Sequence, residues 1–168
     1  FNGTATLTNS TVSGNSANSG GGGISNRSTA TLTNSTVSGN SANDGGGIYN
    51  YGTATVINSL ISGNSATNSS NEIENFDTVN AEANNLFGDS SQSNADAFSN
   101  FTLGINDINA TSDGTNIPLN SILDPTGLKD NGGGIETIAL VAGSPAIDAG
   151  DNAQIPADTL DLDGDGNT

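Results

Sequence analysis

The densest set of potential ligands is the run Asp161-Leu162-Asp163-Gly164-Asp165-Gly166-Asn167-Thr168. Carboxylates at alternate positions, with glycine at the sixth, match the first half of an EF-hand-type calcium loop. Calcium is a hard ion that takes about six to eight oxygens. Aspartates at the first, third and fifth positions point short side chains inward, and the glycine permits a sharp turn. The sequence stops before the twelfth position, where a bidentate Glu would sit, so Asp158, Asp151 or a neighbouring subunit is expected to complete the shell. The candidate ligands are Asp158, Asp161, Asp163, Asp165 and Asn167, and the expected cofactor is calcium. The alternative is a solvated acidic tail.

Acid–base and nucleophilic chemistry have fewer footholds. The chain has no His and no Cys, which excludes a Ser-His-Asp arrangement and any thiolate. A polysaccharide lyase built on a β-helix needs Arg or Lys as base. Arg27 falls at a variable turn and Lys129 in the C-terminal turn region. A glycosidase needs a pair of carboxylates. Asp44, Glu72, Glu74, Asp77 and Glu82 are available, yet the repeated strands carry no acid at a stacked position. The expectation is therefore no catalytic site.

Two basic residues stand against 18 acidic ones, a net charge of -16. Nucleic-acid binding needs clustered Lys and Arg, so that class is excluded, and an anionic membrane surface would repel the chain. Cations, neutral sugars or another copy of the chain remain compatible. No apolar run approaches the length that spans a bilayer. Phe1 is not a translation start and the last residues fall inside a motif. The chain is thus expected to be a piece of a longer protein, with any signal peptide or anchor outside it.

The elements that must position such residues come from a repeat. Thr-Ala-Thr-Leu-Thr-Asn-Ser-Thr-Val-Ser-Gly-Asn-Ser-Ala occupies 4–17 and recurs unchanged at 29–42, and a variant fills 53–66, giving steps of 25 and 24 residues. A degenerate fourth copy places Leu86 and Gly88 25 residues after Ile61 and Gly63. Polar and apolar residues alternate within each copy, which is strand periodicity, and no helical apolar stripe appears. Short strands between Gly and Asn turns, closing after about 24 residues, make one coil of a β-solenoid. The fold class is all-β, a right-handed parallel β-helix. Coils stacked about 4.8 Å apart bring like residues into columns: Leu7, Leu32 and Val56; Val12, Val37 and Ile61; Ile24, Ile48 and Ile73. The recurring Asn residues at 9, 34 and 58, at 15, 40 and 64, and at 26, 50 and 75 are expected to turn the chain and to stack as amide ladders.

The pieces Val-Ser-Gly-Asn-Ser-Ala and Gly-Gly-Gly-Ile-Tyr-Asn (45–50) resemble repeats of polymorphic outer-membrane proteins and pectate-lyase-like β-helices. Asp130-Asn131-Gly132-Gly133, Thr137-Ile138-Ala139-Leu140 and Gly143-Ser144-Pro145-Ala146-Ile147-Asp148-Ala149-Gly150 are similar to the end of choice-of-anchor Q domains. Those are β-helical regions of large secreted bacterial proteins. The resemblance implies the fold and an extracellular or cell-surface location, and it supplies no activity.

The expected organisation is regular coils over 1–88, an irregular excursion packed on the solenoid over 89–123, a terminal coil over 124–151, and the calcium-loop-like tail over 152–168. The expected function is a non-catalytic structural or adhesive module, self-associating by end-to-end stacking of its open solenoid end, and capable of forming a filament locked by calcium. One alternative is a β-helix that binds or acts on extracellular glycans. A second is ice binding through outward rows of Thr4 and Thr6, Thr29 and Thr31, Thr53 and Thr55.

Overall fold

Each coil begins where Thr-Ala-Thr-Leu-Thr alternates, because alternation sends Ala and Leu to one face and Thr to the other. The computed structural model describes residues 3–155. The first coil holds β1 (Thr4–Thr8), β2 (Thr11–Ser13) and β3 (Ile24–Asn26). The second holds β4 (Thr29–Thr33), β5 (Thr36–Ser38), β6 (Ser41–Ala42) and β7 (Ile48–Asn50). The third holds β8 (Thr53–Ile57), β9 (Leu60–Ile61), β10 (Ser65–Ala66) and β11 (Ile73–Asn75). Then follow β12 (Thr78–Ala83) and β13 (Leu86–Phe87), a single helical turn α1 (Asn94–Ala97), and β14 (Ile108–Asn109). The strands stack in parallel in the orders β1-β4-β8-β12, β3-β7-β11 and β2-β5-β9-β13-β14, so the fold is a parallel β-solenoid.

The expected columns form. Leu7 lies beside Leu32 and Leu32 beside Val56; Val12, Val37 and Ile61 align; so do Ile24, Ile48 and Ile73. Leu32, Val37, Val56, Ile61 and Ile73 are fully buried, each contributing about 1.5–3 kcal/mol. Asn9, Asn34 and Asn58 hold the left-handed turn, with φ of 50°, 50° and 48°. Asn26 Nδ2 donates to Asn50 Oδ1 at 2.7 Å and Asn50 Nδ2 to Asn75 Oδ1 at 2.8 Å, a buried amide ladder. The glycine run exists for close approach: a Cβ on Gly46 would lie 2.3 Å from the Ser65 carbonyl oxygen in the coil below.

The fourth copy departs from the expected step. A bulge in β12 between Ala81 and Ala83 adds one residue, so Leu86 pairs with Leu60 and Phe87 with Ile61. A one-residue slip exchanges faces. Phe87, not Leu86, therefore fills the core under Ile61, and Leu86 joins Leu60 on the other side. Gly88 nonetheless keeps the left-handed backbone of Gly63, φ 73° against 75°.

Residues 89–123 close the lower end of the stack. Ser93 caps α1, and Phe98 bridges in parallel beside Ile73. Phe87, Phe98 and Phe101 meet edge to face with centroids 5.4–6.0 Å apart, plugging the core. Gly104 passes against the Ala81 carbonyl of β12, where a Cβ would lie 2.1 Å from the oxygen.

Residues 124–151 do not make a further parallel coil. β15 (Lys129–Asp130) pairs antiparallel with β16 (Glu136–Thr137), and Leu123 bridges antiparallel to Leu140. This strap runs back along the solenoid because the outward column Thr11, Thr36, Leu60, Leu86 turns apolar in its lower half. Ile122, Leu123, Ile138 and Ala146 cover Leu60 and Leu86 in a second hydrophobic cluster.

Candidate functional site

Asp158, Asp161, Asp163, Asp165 and Asn167 lie outside the described residues. Asp151 is placed. Its N–H donates to Asn58 Oδ1 and its carbonyl accepts from Asn58 Nδ2, both at 2.9 Å, which ties the strap to the third coil. Its carboxylate accepts the Ala153 N–H and caps a 3-10 turn, Asn152–Gln154. Among the described residues no three His, Cys, Asp or Glu side chains converge as a metal site.

The candidate bases are apart. Lys129 Nζ donates to Asp124 Oδ2 at 2.5 Å, and this hydrogen bond, with those from Thr126, holds the Asp124 carboxyl well below its usual range. Arg27 sits elsewhere, its guanidinium 5.7 Å from the Tyr51 ring centroid. Of the candidate acids, Asp77 and Glu82 are exposed on the fourth coil.

Glu72 is fully buried. It accepts from Asn64 Nδ2 at 2.6 Å, from the Gly63 N–H at 2.9 Å and from Gln92 Nε2 at 2.5 Å. Burial pushes its carboxyl up to about 7, partly opposed by the Asn64 and Gln92 hydrogen bonds and reinforced by nearby Asp89. Gln92 Nε2 also reaches Asp89 Oδ2 at 3.3 Å, while Gln92 Oε1 is buried without a partner. Turning that amide over would set an oxygen 2.5 Å from Glu72 Oε1, the length of an O–H···O bond that a protonated Glu72 can supply.

What the fold brings together is an aromatic column on an outer turn. Arg27, Tyr51 and Phe76 each follow the Ile24, Ile48 and Ile73 column by three residues, so the stacked coils superpose them. Tyr51 and Phe76 are stacked, centroids 4.5 Å apart and planes 5° apart. Arg27 lies over Tyr51 from the coil above. Tyr49 meets both rings edge-on at 5.1 and 5.5 Å. Its own ring lies on Gly20, where a Cβ would come within 2.5 Å of it.

The Tyr49 hydroxyl shares a 3.1 Å hydrogen bond with Tyr51. That bond, then burial, then the charges of Tyr51, Asp44 and Glu74 push its pKa up to about 12, so it stays protonated. Burial also raises the Glu74 carboxyl, but hydrogen bonds from Ser70, Ser69 and Ser99 outweigh it and leave Glu74 an acceptor. Phe76 is 52% exposed and Tyr51 44%. The patch thus offers ring surface, a phenol donor, the nearby Asp44 carboxylate and a guanidinium, a set suited to contact rather than bond breaking. Spacing alone marks this column, since residues 27, 51 and 76 repeat at the coil length. Its mixed chemistry hides it from a search for identical residues.

A cavity of about 210 Å³ lies between strap and coils, lined by Ser35, Ser59, Leu60, Leu86, Ile138 and Ala146 among others. This is below the roughly 300–1,000 Å³ of small-molecule sites. Compared with known proteins, the chain matches no family model, no curated protein and no solved structure.

Proposed function

We propose that this chain is a non-catalytic, extracellular structural and adhesive β-helix module of a bacterial surface protein, of the choice-of-anchor Q type. The observation that carries the adhesive reading is the exposed Tyr51–Phe76 stack, flanked by Tyr49 and Arg27. Rungs hydrogen-bonded above and below hold the rings without loss of rotamer freedom on binding. A neutral glycan has both the C–H faces that pack on aromatic rings and the hydroxyls that meet Tyr49 and Asp44. A net charge of -16 disfavours anionic polymers. The non-catalytic part is supported by the enclosure of Glu72 and the pairing of Lys129. The choice-of-anchor Q type rests on the motif at 143–150, whose strap is pinned by Asn58.

Binding to a glycan array tests this, with neutral and acidic oligosaccharides and the variant Tyr51→Ser/Phe76→Ser. The expected result is selective retention of neutral glycans, weakened about tenfold or more in the variant, or ~1.4 kcal/mol, at unchanged melting temperature. No neutral glycan retained, or equal binding by the variant, removes the adhesive assignment. Calcium held by Asp161, Asp163, Asp165 and Asn167 with Asp158 belongs to the same proposal. Calorimetric titration with calcium chloride is expected to show saturable binding that Asp163→Ala abolishes.

A second reading is favoured by the threonine rows, which extend to a fourth coil as Thr4, Thr29, Thr53 and Thr78, beside Thr6, Thr31 and Thr55. It is ice binding. Thermal hysteresis that falls on Thr31→Tyr would establish it, and a freezing point equal to that of buffer would end it.

A further inference from the structure

We infer that the polar cup between the third coil and α1 is a subsite for a neutral pyranose unit, engaged through its hydroxyls, beside the ring stack that takes the next unit of the same glycan. The inference rests on the glycan reading of that stack and extends it to a second set of residues.

The cup has a volume of about 450 Å³, against 210 Å³ for the cavity under the strap. It falls within the roughly 300–1,000 Å³ of small-molecule sites. One wall is the loop 66–71 of the third coil, the other is Ser91, Ala95 and Asp96, and Glu74 of β11 also lines it. Glu74 pairs with Tyr49 in the parallel register, and the Tyr49 ring meets Phe76 at 5.5 Å. Cup and rings are therefore neighbours on the outward side of β7 and β11.

Both walls are held by bonds within the fold. The Ala66 N–H donates to Asn71 Oδ1 at 2.7 Å and the Asn68 N–H to the Asn43 carbonyl at 2.9 Å, which fixes the loop. The Asn71 N–H donates to the Asp96 carbonyl at 2.7 Å, which ties that loop to α1. Asp96 Oδ2 accepts from the Ser93 N–H and Oγ at 3.0 and 2.6 Å in the capping box of α1. A ligand meets groups already in place, and little ordering is lost on binding.

These bonds leave hydrogen-bonding capacity over. Among the described residues nothing bonds the Asn68 side-chain amide, Asn71 Nδ2, the Ser91 hydroxyl or Asp96 Oδ1, and all four residues line the cup. Two amides, a hydroxyl and a carboxylate oxygen form a mixed set of donors and acceptors. Sugar hydroxyls donate and accept at once and use such a set fully. A bare cation has no use for amide N–H groups, and an anion would face the Asp96 carboxylate. Glu74 takes no part, because hydrogen bonds from Ser69, Ser70 and Ser99 occupy its carboxylate.

The test compares the native chain with the ring variant Tyr51→Ser/Phe76→Ser and two cup variants. Asn68→Ala/Ser91→Ala removes two of the unused groups and breaks no bond within the fold. Asn71→Asp keeps the acceptor for the Ala66 N–H and removes the side-chain donor. Each chain is titrated with a length series of neutral oligosaccharides, followed by affinity and by the side-chain amide signals of Asn68 and Asn71 in NMR. The native chain should show saturable shifts of both amides, and each cup variant should bind about tenfold or more weakly. Equal affinity of the native chain and Asn68→Ala/Ser91→Ala overturns the subsite and leaves the ring reading standing. Loss in the cup variants with none in the ring variant supports the subsite and ends the ring reading. Absence of any saturable shift at Asn68 and Asn71, or the same shifts with calcium chloride alone, overturns the inference.

Discussion

Glu72→Gln should change how stability depends on pH, and in a window where little else titrates. The chain has no His and no Cys. The Glu72 carboxyl is raised by burial from an ordinary value near 4.5 to about 7. A raised value means the folded state binds the proton more tightly. Its stabilising contribution is complete below about pH 4.5 and is lost as pH rises through 7. Between pH 5 and 8 the native chain should lose about 2–3 kcal/mol from this group. Glu74 and Asp124 are held below their ordinary values, so their contributions are lost only as pH falls through those lower values, outside this window. The assay is urea denaturation of both chains at pH 5 and pH 8. The native chain should be markedly more stable at the acid end, and the variant nearly flat, because the introduced amide also has an N–H for the unpartnered Gln92 Oε1. Parallel pH dependences in the two chains would refute the reasoning, and greater stability of the native chain at pH 8 would reverse its sign.

Three further perturbations probe the packing. Gly52→Ala places a Cβ 2.1 Å from the Ser28 carbonyl oxygen of the coil above and should cost about 2–3 kcal/mol in chemical denaturation. Phe87→Ala empties the fully buried aromatic plug and should cost about 3–5 kcal/mol, with faster proteolysis at 98–107 as a second readout. Asn40→Ala leaves the Val12 carbonyl and Asn64 Oδ1 without its amide, for about 1–3 kcal/mol, seen as a lower denaturation midpoint at unchanged slope.

The columns were legible because the repeat fixes both spacing and face. Once Leu7, Leu32 and Val56 recur at the coil length, stacking follows, and the ladder at Asn26, Asn50 and Asn75 follows with it. The register of the fourth coil was not legible, since the bulge at Ala81–Ala83 rests on local geometry without a Gly or Pro signal. The strap had a readable cue that identity counting overlooks. Thr11 and Thr36 give way to Leu60 and Leu86 at one outward position, so a partner must cover the lower coils only. Glu72 and Asp107 resist sequence reading most. They stand outside the repeat and meet Asn64 and Asn85 through contacts eight and 22 residues along the chain.

Because successive rungs make the same bonds to their neighbours, a whole 24- or 25-residue unit can be gained or lost by recombination within the gene while both termini of the stack stay chemically as they were. The identical copies at 4–17 and 29–42 are what recent duplication of that kind leaves behind. Each event lengthens or shortens the rod by about 4.8 Å, so the distance such a protein spans is set by copy number alone.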